Sequence, residues 1–88
     1  MNQTFSKDEE RQRGIAAQRI MTDPLVIEAF EKMERSVFDT LKTTSNLDKE
    51  DLERLWITLR LIGKFREIFA GVVESGRLAE FELNSKGK

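Results

Sequence analysis

Between Asp48 and Ser75 the chain carries apolar residues at nearly every angle of a helical wheel, and this stretch limits what the fold can be. At about 100° per residue, Glu53, Arg60, Lys64 and Glu67 share a polar sector only about 60° wide. Leu52, Leu55, Trp56, Leu59, Ile62, Phe69 and Val73 make one apolar stripe. Ile57, Leu61, Phe65, Ile68 and Val72 make a second beside it. One neighbouring helix covers about a third of such a circumference, so a second cover is required.

Two further helices are expected. The first runs over 7–21: Ser6 and Glu9 fit a capping box, and Asp8, Glu9 and Glu10 complement the positive helix end. Its large apolar residues are only Ile15, Ile20 and Met21, and Gly14 costs it up to about 1 kcal/mol of propensity, so it reads as an arm that orders on docking. The second runs over 24–44, with Asp23 as N-cap and Pro24 in the first turn, where its missing N–H does no harm. There Val26, Ala29, Phe30, Met33, Val37 and Leu41 face Glu28, Glu31, Lys32, Arg35, Asp39 and Lys42 across the wheel, and Leu25, Ile27 and Phe38 widen the stripe.

The polar break at Thr43 to Asn46 is short enough to make the second and third helices antiparallel neighbours. Asn46 or Asp48 caps the third, which is expected over 48–75 with Gly76 as a left-handed C-cap. Leu78, Ala79, Phe81 and Leu83 then form a short helix or strap, and 84–88 a disordered tail. The fold class expected is all-α: one domain over 1–83, a long antiparallel hairpin with an N-terminal helix, bundle-like.

Leaving five large apolar side chains wet forgoes on the order of 10 kcal/mol, comparable with the stability of a whole domain. Ile57, Leu61, Phe65, Ile68 and Val72 are therefore the expected protein interface, covered by another chain in preference to the thin first helix. Arg54 and Arg66 fall inside the apolar sectors, where each snorkels or pairs with a carboxylate such as Glu34. Trp56 reads as core or as an interface anchor. Gly63 and Gly71, eight residues apart in sequence, either permit close helix approach or sit exposed.

The composition closes off most chemistry. With no Cys and no His there is no disulfide, thiolate metal site or imidazole base, and the acidic clusters lie in helix first turns or the tail. No Gly-rich phosphate loop or calcium loop occurs. The reading is a non-enzymatic protein without cofactor or metal. Met1 to Lys7 is polar, unlike a signal peptide, and no run approaches the roughly 18 apolar residues of a membrane span; a cytosolic product is expected. The formal charge of −1 is spread evenly, so no segment makes the basic stripe of a nucleic-acid binder. Such a role needs Arg11, Arg13 and Arg19 gathered on one surface.

Arg13, Ala17 and Ile20, then Asp23-Pro24-Leu25 and Glu28-Ala29-Phe30, a helix with Leu55-Trp56, and Gly76-Arg77-Leu78-Ala79 together resemble small α-helical proteins of tailed bacteriophages, often encoded among head and packaging genes. The resemblance implies no catalytic residues. It implies a setting: a subunit that self-associates or docks on a larger protein in the virion or its assembly, in the host cytoplasm or the particle. Two rivals follow, a small nucleic-acid-binding packaging subunit and a phage inhibitor of a host protein.

Overall fold

The computed structural model describes residues 4–86 and is all-α, with three helices: α1 (Lys7–Met21), α2 (Pro24–Thr43) and α3 (Lys49–Lys86). The two N-terminal boundaries form as their local chemistry directs. Glu9 N–H donates to Ser6 Oγ at 3.1 Å, and Ser6 N–H donates to Glu9 Oε1 at 2.9 Å. The backbone donor, and then the hydroxyl, hold the exposed Glu9 carboxyl below its ordinary pKa of 4.5. At the next boundary Leu25 N–H donates to Asp23 Oδ1 at 2.8 Å, ahead of a proline that needs no acceptor. Asp48 Oδ1 caps α3, accepting from Asp51 N–H at 2.8 Å.

The C-terminal half differs from expectation. Gly76 is no C-cap: none of the described glycines has positive φ, and α3 continues through it to Lys86. Leu78 to Leu83 belong to this same helix, as do Asn84 to Lys86 of the expected tail; Gly87 and Lys88 lie outside the described residues. The 38 residues of α3 correspond to about 57 Å at about 1.5 Å per residue, nearly the whole 64 Å length of the molecule.

The reason the helix does not stop is tertiary. Gly76 is buried against Gly14 of α1, and a Cβ placed on Gly76 would lie 2.7 Å from the Gly14 Cα and 3.0 Å from the Glu10 carbonyl oxygen. A Cβ on Gly14 would lie 2.8 Å from the Gly76 Cα. Both obstacles are backbone, so the two helices touch without side chains between them. Ala17 and Ala79, 4% and 0% exposed, complete this seam, and Lys7 pairs with Glu82 at 3.3 Å near its far end. The arm expected to be loosely held is thus the most intimately packed element, because small residues replace large ones at the contact.

The helix α1 runs antiparallel to the second half of α3, and α2 antiparallel to the first. They meet at the Thr22–Asp23 turn and follow one another along α3. The α2 contact is built from larger side chains. Phe30 meets Phe65 at 5.5 Å between ring centroids, and Phe65 meets Phe69 at 5.0 Å. Arg66 forms a two-pronged pair with Glu34, at 3.0 and 3.1 Å, and lies 4.8 Å over the Phe30 ring. Phe30, Val37 and Ile62 are its buried core. The result is a slab with extents of 64 × 29 × 15 Å. Its thinnest dimension is little more than one helix diameter of about 10–12 Å.

Candidate functional site

A slab one helix thick has two faces, and in its α2 half they differ in chemistry. On one, Glu31, Glu34, Arg35, Asp39 and Lys42 surround Phe38 in a shallow polar hollow. On the other, an open groove of about 620 Å³ runs between α2 and α3. Leu25, Val26, Ala29 and Met33 form its α2 wall, Leu61 and Phe65 its α3 wall. Phe30 and Ile62 lie at the bottom, and Ile20 from the end of α1 closes it.

Thr58 is the one lining residue among those described with a polar side chain, and its hydroxyl already donates to the Arg54 carbonyl at 2.8 Å. No titratable group lines the groove. Among the described residues, no buried side-chain polar atom lacks a partner and no three acidic side chains converge as a metal site. The groove can therefore hold apolar matter and has no group with which to activate it.

The expected interface residues are not gathered in one place. Leu61 and Phe65 line the groove, with Leu61 63% exposed. Ile57 and Ile68 are exposed on the same flank of α3 by helix geometry, with Ile68 58% exposed, and they extend the apolar surface beyond the groove. Val72 is half-buried beneath α1, beside Ala17 and Phe69. Trp56 is exposed on a different flank, more than a quarter turn from Leu61, so it is neither core nor part of this surface. Arg54 is also apart from the groove and reaches only Glu50 of its own helix, at 4.0 Å.

Sequence reasoning missed the α2 wall. Leu25, Ala29 and Met33 belong to the apolar stripe of α2, which an antiparallel hairpin turns towards α3. The stripe is wider than the contact, however, because the phenylalanines hold α2 away from α3 and leave its margin in solvent.

The three arginines of the nucleic-acid alternative do not share a face. Arg11 flanks the Gly14–Gly76 seam on one side, where its bond to Asp8 at 2.6 Å raises its pKa. Arg13 lies on the other side, with its guanidinium 4.1 Å over the Phe5 ring. Arg19, six positions beyond Arg13, is separated from it by about a third of a turn.

No helix among the described residues is long and apolar enough to cross a membrane. Comparison with protein families, with curated proteins and with solved structures finds no match to this chain.

Proposed function

We propose that this protein is a non-enzymatic docking subunit whose working surface is the apolar face of the α2–α3 half. The observation that carries the reading is the groove. It is large, open and lined by hydrocarbon, and it continues into the exposed Ile57 and Ile68. Contiguous apolar surface of this kind marks sites of protein association in chains that function in water. Binding there would be helix-in-groove or slab-on-slab, driven by burial and oriented by shape.

The setting we propose is a bacteriophage particle or its assembly, and it rests on the sequence resemblance alone. The separation of Arg11 from Arg13 gives the nucleic-acid alternative no support.

Titration with the apolar dye anilinonaphthalene sulfonate, alongside light scattering, tests the docking reading. A free face binds dye, and a covered one reveals its cover as added mass. A chain that stays a monomer and also leaves the dye dark would sink the reading.

A further inference from the structure

The whole molecule exposes more surface than a compact chain of its mass, and the excess has a definite size. The chain has 7310 Å² of accessible surface at 10.2 kDa. A compact monomer of that mass exposes about 5300 Å². The excess, roughly 2000 Å², lies within the range of about 1000–2500 Å² that each partner buries in an obligate homodimer.

From this match we infer that the occupant of the groove is a second copy of this chain, seated face to face. The inference rests on the docking reading and names its partner.

Two features of the face favour a copy. The same surface carries both a hollow, floored by Phe30 and Ile62, and a ridge, formed by Ile57, Leu61 and Ile68. An interface related by a two-fold axis requires this, because each patch must offer what it also receives. Charge also permits it. The groove is uncharged and the chain's net charge is −1, so identical faces approach without appreciable repulsion.

The α2 half, with its polar hollow on one side and its apolar groove on the other, gains a second layer by this pairing. The polar hollow around Phe38 is left outward, together with the ion pair of Arg66 and Glu34.

The test is the mass of the full chain by light scattering, with three variants. Wild type is expected at about 20 kDa, twice 10.2 kDa. Leu61→Glu is expected at the mass of one chain, with its helical circular dichroism retained, since Leu61 is 63% exposed in the single chain. Ile68→Lys repeats the test at a second exposed position in case the first variant fails to fold. Leu78→Glu, in the α1 half of α3 and about 100° around the helix from Leu61, is expected to remain paired.

A wild type that is single at several hundred micromolar overturns the second-copy inference. If that monomer binds dye and Leu61→Glu abolishes the binding, the docking reading survives with a different partner. If it binds no dye, both fall. A pair that survives Leu61→Glu and Ile68→Lys but is broken by Leu78→Glu assigns the interface to another face and overturns the inference as well.

Discussion

The four described glycines lie inside helices, where each costs propensity, yet at only two of them would an added Cβ meet anything within 4 Å. At Gly14 and Gly76 an added Cβ meets facing backbone at 2.8 and 2.7 Å, and backbone cannot swing aside as a long side chain can. Overpacking of this kind costs about 1–3 kcal/mol against up to about 1 kcal/mol gained in propensity. Gly76→Ala is accordingly expected to destabilise the fold by up to about 2 kcal/mol, read as a lower urea midpoint, and Gly14→Ala likewise. Gly63 and Gly71 have nothing within 4 Å of a built Cβ. Alanine there should raise stability by about 0.5–1 kcal/mol. If all four substitutions moved the midpoint in the same direction, the glycine contact would not be holding α1.

At the scale of the element, α1 depends on its first turn as well as on its seam. Its capping box joins the exposed Glu9 carboxylate to the Ser6 amide, and that bond draws the carboxyl below its ordinary value of 4.5. A carboxyl with a lowered folded pKa contributes stability that is fully present above 4.5 and is lost as pH falls through the folded value. Wild type should therefore lose stability on acidification from about pH 5 to about pH 3 more steeply than Glu9→Gln. Thermal melts followed by circular dichroism across that range check it; equal slopes would remove the capping bond from the account.

The two partners of α3 also differ in kind. The contact with α1 is close and made of Gly and Ala, while that with α2 is propped apart by Phe30 and Phe65. The wide spacing creates the groove, so the device that weakens the hairpin as a self-contained unit also produces its binding surface.

The whole molecule is long for its mass. Its radius of gyration is 18.2 Å, against about 12 Å for a compact chain of this length. Such a shape has little interior, and at least sixteen large apolar side chains remain exposed among the described residues. X-ray scattering should return a radius near 18 Å and a longest dimension near 64 Å for the single chain. Pairing face to face thickens the slab and extends it by much less than its own length, because the groove lies inside α3, about a third of the way along it. The scattering mass should then double while the longest dimension grows far less than twofold; end-to-end pairing would instead approach double length.

What the sequence by itself determined is local. Helix type, the N-terminal caps at Ser6 and Asp23, a third cap narrowed to Asn46 or Asp48, and the surplus of apolar surface on α3 all follow from near neighbours along the chain, since capping and periodicity act over one or two turns. Pairing of α3 with α2 followed from the short connection. Tertiary structure decided which glycine ends a helix and which lets two helices touch. Gly76 carries a good stop signal, but its contact lies with Gly14, sixty-two positions away in the chain. A left-handed cap is only a modest local preference, and it yields to a seam of buried backbone. Tertiary structure also decided which apolar residues stay wet. A helical stripe records how much surface wants cover, whereas the spacing set by Phe30, Phe65 and the small residues of α1 determines how much of it is covered.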